Sequence, residues 1–320
     1  MNPENRDHYG FPKQNTQTPS KEEMLKINAR IEKWRKMIPK IPQLMANNDS
    51  KLKSRLRKGI PEGIRMLIWP CLAEIDQMKI QAKRTYKELV ESQEISPHDS
   101  QITLDVMRTF QTNDLIKMDT ITSQSLFTVL RAISLTFQDM GYCQGLNYLA
   151  GSFLLLMNDE LVYWHLYSLL TKYGCLDTYI NPTNTLKYFY ALDILVKQFL
   201  PDLHAKFTKF NIVPFYYAAE WFITLFSSIL PMQIFLRVTD IFWHEHHKTT
   251  FRASLAILKI RKEEILTAKT MEQAITILKD QKFFNNYDPD KFIKIAMKDF
   301  IFSKKDLRKY YDQFAASQKK

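Results

Sequence analysis

Glycine and cysteine are scarce: the 320 residues include only 7 Gly and 3 Cys, beside 21 Phe and 13 Met. So little glycine argues against a fold built from many tight turns. The long apolar segments repeat at helical rather than alternating spacing, so a mostly α protein is expected. Cys71, Cys143 and Cys175 are too few and too scattered for a disulfide framework or a zinc site. Their apolar neighbours mark them as core thiols of a reducing compartment. No repeat of solenoid length is present.

Also lacking is a clean membrane-spanning run. Residues 140–158 approach the required length but hold Gln144, Asn147 and three Gly, while 221–236 is shorter and broken by Pro231. Both are expected as buried core helices. The opening MNPENRDHYGFPKQ is polar and has no apolar core of a signal peptide, so none is expected. His244-Glu245-His246-His247 lacks the His-Glu-x-x-His spacing that sets two imidazoles on one helix face. It is expected to be an exposed helix end, and no metal site is expected in the chain.

What is present is the composition of a globular protein, 45% hydrophobic and 25% charged, long enough for one large core or two smaller ones. The net charge of +11 is uneven. Residues 21–65 carry thirteen basic against five acidic side chains, and 279–320 carry eleven against six, so the middle is near neutral. Such flanks could meet nucleic acid or an anionic membrane. No aromatic-interleaved basic stripe or nucleic-acid motif accompanies them, so nucleic acid is not expected and peripheral membrane contact stays open.

Residues 1–19, rich in Asn, Pro, Gln and Thr, are expected without fixed structure. Ser20 with Glu23 forms a capping box for a basic helix to about Met37, stopped by Pro39 and Pro42. Gly59-Ile60-Pro61 turns into a helix with Ile64, Leu67, Ile68 and Trp69 on its core face. A helix is expected over 79–92, another over 123–138, and one over 161–172. The loop 174–182 marks a subdomain boundary. Further helices are expected over 186–199, 202–207, an apolar pair around Pro231, 254–265, 271–279, 290–298 and 304–314. The division expected is an N-terminal extension 1–50, subdomains 51–174 and 175–315, and a tail 316–320.

Two segments carry a chemical signal. In 101–110, at about 100° per residue, Ile102, Leu104, Val106, Met107 and Phe110 sweep one face, and Asp105 and Arg108 fall on the other as an i, i+3 pair. Such a pair is either an ordinary surface ion pair or a carboxylate holding a guanidinium oriented toward a partner. In 139–159, with Asp139 as N-cap, Tyr142 lies on the apolar stripe and Gln144 points away, near Asn147 in projection. That puts Gln144 in the first turn of a helix, as a plain polar cap or a working group.

Taken together, Ile102-x-x-Asp105-x-x-Arg108 and Tyr142-x-Gln144 resemble the paired signature of the TBC domain, the catalytic module of GTPase-activating proteins for Rab-type GTPases. Lys58-Gly59-Ile60-Pro61 with Arg65 and Trp69 resembles the family's opening block. Trp221-Phe222, Leu225-Phe226, Pro231, Arg237 and Asp240 resemble its C-terminal block. The likeness extends over about 52–314. Met66 departs from the Gly usual after the Arg, and IFWHEHH after Asp240 lacks a Gly often found there.

The resemblance implies an all-α fold of two helical subdomains that binds a GTP-loaded Rab-type GTPase and completes its active site. It assigns Arg108 as an arginine finger and Gln144 as a glutamine finger that positions the attacking water. Asp105, Tyr142, Gly145, Asn147 and Arg65 are then supporting residues. The chain would be an enzyme activator with no cofactor of its own, GTP and Mg²⁺ belonging to the partner. It would be cytoplasmic and recruited to endomembranes. The alternative is a TBC-like binding module that engages a GTPase without stimulating hydrolysis.

Overall fold

The computed structural model describes residues 9–11, 20–92, 94–111, 113, 121–181 and 183–318. Among these residues there is no β-strand, and the chain divides into two compact units, 1–176 and 177–320.

The first unit contains α1 (Lys21–Arg35), α2 (Ile41–Ala46), α3 (Ser50–Lys58), α4 (Arg65–Leu72), α5 (Ile75–Gln81), α6 (Tyr86–Glu91), α7 (Asp99–Arg108), α8 (Ile121–Thr136), α9 (Leu146–Leu154) and α10 (Asp159–Thr171). α8 is its centre and packs against α6, α7, α9 and α10. The reason is the stripe Leu126, Val129, Leu130 and Ile133, every member of which is buried. Trp69 of α4 is fully buried with its ring 5.4 Å from Phe153 of α9.

Local signals explain most helix ends. Ser20 accepts from the Glu23 amide while the Glu23 carboxylate accepts from the Ser20 amide, which is the capping box expected for α1. Pro39 and Pro42 do more than stop α1, since each sits in the first turn of a new short helix. The segment 79–92 is not one helix: Thr85 and Glu88 form a second capping box that starts α6 after α5 has ended at Gln81. The stretch set apart in sequence as an N-terminal extension is built into this unit, because Trp34 and Ile41 are buried and α2 packs on α4. Of residues 1–19, expected without structure, only 9–11 fall among the described residues, and there Tyr9 is buried.

A short helix, α11 (Leu176–Ile180), falls at the division between the units. The second unit contains α12 (Thr183–Phe199), α13 (Pro201–Lys209), α14 (Phe215–Ile223), α15 (Met232–Glu245), α16 (His247–Thr267), α17 (Met271–Lys279), α18 (Pro289–Lys298) and α19 (Lys304–Ser317). The long α16 is buried along most of its length and packs against α13, α14, α15, α17 and α18. Residues 244–247 are not the exposed helix end that sequence suggests. His246 adopts positive φ between α15 and α16, and His244 and Glu245 are buried. Glu245 pairs with the equally buried Arg252 at 3.0 Å, so charge is matched by charge inside the unit. Arg237 pairs with Asp290, which ties α15 to α18.

Candidate functional site

Both signature segments lie in the first unit, and one carboxylate joins them. α7 is amphipathic, but its buried face coincides only in part with the one the apolar residues suggest. Ile102, Asp105 and Val106 are buried, while Leu104 and Met107 are 57% and 47% exposed. Asp105 is fully buried, and a buried carboxylate requires partners for its lone pairs. It has three: the Arg108 guanidinium and Gln101 Nε2 (3.2 Å) donate to Oδ1, and the Tyr142 hydroxyl donates to Oδ2 at 2.6 Å. Arg108, at the last helical position, keeps a side chain that is 46% exposed.

The arrangement around Gln144 also differs from the sequence expectation. α8 ends at Thr136, the Phe137 carbonyl accepts from the Gly141 amide at 2.8 Å, and α9 begins only at Leu146. Gln144 therefore stands in the loop before the helix, not in its first turn, and it is exposed. The break is set by two glycines at positive φ, Gly141 (60°) and Gly145 (111°), values that side-chain-bearing residues adopt at a cost. At Gly141 a Cβ would also lie 2.1 Å from His98 Nε2. Tyr142 is half-buried rather than part of the core stripe, because its hydroxyl reaches Asp105.

Asn147 locks the loop from beneath. It is buried, its Oδ1 accepts from the Gly145 amide at 3.0 Å and from the Tyr142 hydroxyl at 3.4 Å, and its Nδ2 donates to Thr109 Oγ1 at 2.8 Å. Thr109 Oγ1 in turn donates to the Asp105 carbonyl at 2.6 Å. The result is a closed ring of hydrogen bonds running from Asp105 through Tyr142, Asn147 and Thr109 back to the backbone of α7. Burial, then the hydrogen bond to Asp105, pushes the Tyr142 phenol far above its ordinary pKa, so it stays a donor. Burial also raises the Cys143 thiol.

Asp105, Arg108, Tyr142, Gly145 and Asn147 are thus gathered in one network, with Gln144 on the loop that the network holds. Arg65 serves the opening turn: buried, it donates to the Ile60 carbonyl at 3.0 Å and lies over the Trp69 ring. Sequence reasoning missed Thr109, Gln101 and His98. Thr109 carried a faint signal, since a Thr four residues after Asp105 can bond back to that carbonyl. His98 carried none, because it matters only through the approach of a chain segment more than forty residues away. No group of three or more His, Cys, Asp or Glu able to hold a metal occurs among the described residues.

The description "Rab-GTPase-TBC domain" belongs to the family model that matches residues 62–266. The Rab GTPase-activating protein tbc-11 of Caenorhabditis elegans is 30% identical over 243 residues, which are 74% of this chain and 26% of that protein. TBC1 domain family member 1 of Homo sapiens is 31% identical over 256 residues, 77% of this chain and 22% of that one. The chain spans about a quarter of the length of the curated relatives it matches. The crystal structure of the Chlamydomonas flagellar RabGAP TBC domain superposes with a TM-score of 0.72 at 25% identity, over 92% of this chain and 99% of the other.

Proposed function

This chain belongs to the Rab-GTPase-TBC domain family, and on that premise we propose that it is a GTPase-activating protein that supplies Arg108 and Gln144 in trans to a GTP-loaded Rab-type GTPase. The observation that carries the proposal is the division of one buried carboxylate, whose Oδ1 takes the Arg108 guanidinium and whose Oδ2 takes the Tyr142 hydroxyl.

GTP hydrolysis passes through a loose transition state with charge spread over the transferring phosphoryl oxygens, so catalysis is largely positioning and charge stabilisation. A guanidinium delivered in trans is worth about 10³ to 10⁵ in rate, or roughly 4 to 7 kcal/mol. That return depends on the fork being aimed beforehand, and a side chain as free as arginine loses much of it to rotamer entropy. Asp105 limits that freedom while leaving Arg108 partly exposed to a partner. Gln144 stands exposed on a loop pinned at Tyr142 and Asn147, and its amide would accept from the attacking water. Leu104 and Met107, exposed beside the finger, offer apolar surface for a partner to cover and so exclude water from the charged contact. GTP and Mg²⁺ enter with the partner. On this proposal the chain would act in the cytoplasm, recruited to an endomembrane through its partner.

The test is single-turnover phosphate release from a panel of GTP-loaded Rab GTPases mixed with the purified chain. Stimulation of at least one member is expected. Tight binding of a GTP-loaded member with no stimulation of any would replace the activator by a binding module.

A further inference from the structure

Residues 9–11 lie about a hundred positions from the signature segments, yet they are packed against the end of α7. Tyr9 is buried and its carbonyl accepts from Asn113 Nδ2 at 2.7 Å, a bond formed where Asn113 is fully buried. The Asn113 amide donates to the Phe110 carbonyl, also at 2.7 Å. The Phe11 ring meets the Phe110 ring edge-on, with centroids 5.4 Å apart and planes at 86°. The Tyr9 hydroxyl donates to the Glu62 carboxylate, in the turn that enters α4.

What these contacts hold is an unfavourable piece of backbone. Phe110 follows the finger by two residues and has φ of 45°, a left-handed conformation that bulky side chains resist. Such a conformation persists when its surroundings over-determine it. On its other side Phe110 meets Tyr148 of α9 at 5.4 Å, and an added Cβ at Gly151 would crowd the same ring at 3.3 Å. The ring of Phe110 is therefore clamped between α9 and the N-terminal segment. The chain leaves α7 at Thr109, whose backbone is extended, and turns back at Phe110, with Thr109 between them bonded to both Asp105 and Asn147.

We infer that Tyr9-Gly10-Phe11 is a positioning strap, which fixes the Phe110 reversal and through it the aim of Arg108 toward the partner's phosphates. The strap rests on the proposed function for its effect on rate, but its effect on the backbone can be read without any GTPase. Misplacement of a reacting group by about 1 Å costs up to about a hundredfold in rate. A Phe11→Ala variant should therefore lower kcat by about tenfold or more with KM unchanged. A Phe11→Tyr variant, which keeps the ring, should retain the wild-type rate.

The experiment pairs that assay with amide hydrogen exchange on the full chain, wild type against Phe11→Ala. Faster exchange over 105–110 in Phe11→Ala, with the kcat loss and rescue by Phe11→Tyr, is the expected result. Unchanged exchange over 105–110 overturns the strap, whether or not the chain stimulates a GTPase. Faster exchange with kcat unaltered overturns it as a positioning device, and a rise in kcat, as removal of an inhibitory plug would give, overturns it as well. Absence of stimulation by the wild type would instead remove the proposed function and leave the exchange comparison to decide whether the strap exists.

Discussion

The Tyr142 hydroxyl and Asp105 Oδ2 are 2.6 Å apart across 37 positions of sequence, and that bond joins the loop bearing Gln144 to the helix bearing Arg108. Asp105 is fully buried, so the bond is also a condition for keeping a carboxylate there. Tyr142→Phe removes the hydroxyl and little else. The variant should lose about 1 to 3 kcal/mol of stability by urea denaturation, the range for a hydrogen bond to a buried charged group. It should also lose GTPase stimulation under conditions where it stays folded.

Arg108→Lys separates charge from shape. A lysine keeps one positive charge but lacks the planar fork that a carboxylate and a phosphoryl group can both engage. Stimulation by this variant is expected to stay near that of Arg108→Ala, at least about a hundredfold below wild type in single-turnover hydrolysis. Recovery of more than a tenth of the wild-type rate would mean that charge alone suffices.

Much of this was legible before any coordinates. The periodicity of 123–138 anticipated α8 and its buried stripe, and Ser20 with Glu23 anticipated the start of α1. The i, i+3 spacing of Asp105 and Arg108 anticipated their pairing. Sequence misled where polar groups replaced apolar ones in the interior: Asp105 occupies the buried face of α7 and displaces Leu104 and Met107 into solvent, because three hydrogen bonds offset its burial. It misled again at Gln144, where positive φ at Gly141 and Gly145 delays the helix to Leu146. The contacts of Tyr9 and Phe11 lay beyond any local pattern, since they join positions about fifty to a hundred residues apart.

Gly141 and Gly63 offer a matched pair. Alanine at Gly141 would force φ of 60° on a side-chain-bearing residue and drive a Cβ into His98, whereas at Gly63 a Cβ meets nothing within 4 Å. Gly141→Ala should cost about 1 to 3 kcal/mol in equilibrium unfolding. Gly63→Ala should be near neutral, within about 0.5 kcal/mol.

His165 makes the first unit sensitive to acid. Burial depresses its pKa from 6.5 to about 4, partly offset by hydrogen bonds to the backbone of Leu161 and Trp69. A base whose folded pKa lies below its unfolded value binds protons more readily when unfolded, so stability falls as pH drops from 6.5 toward 4. The loss attributable to this residue is roughly 3 kcal/mol across that window. His165→Asn should be less stable at neutral pH but show a flatter decline between pH 6.5 and about 4 in urea titrations.

The most direct measurement is single-turnover GTP hydrolysis by a responsive Rab GTPase with wild type, Arg108→Ala and Gln144→Ala, alongside binding of each variant to the GTP-loaded GTPase. Arg108→Ala should lose about 10³-fold or more of the stimulation while still folding and binding, and Gln144→Ala should also lose stimulation. Full stimulation by both variants would contradict the assignment of Arg108 and Gln144 as the groups delivered to the partner's active site.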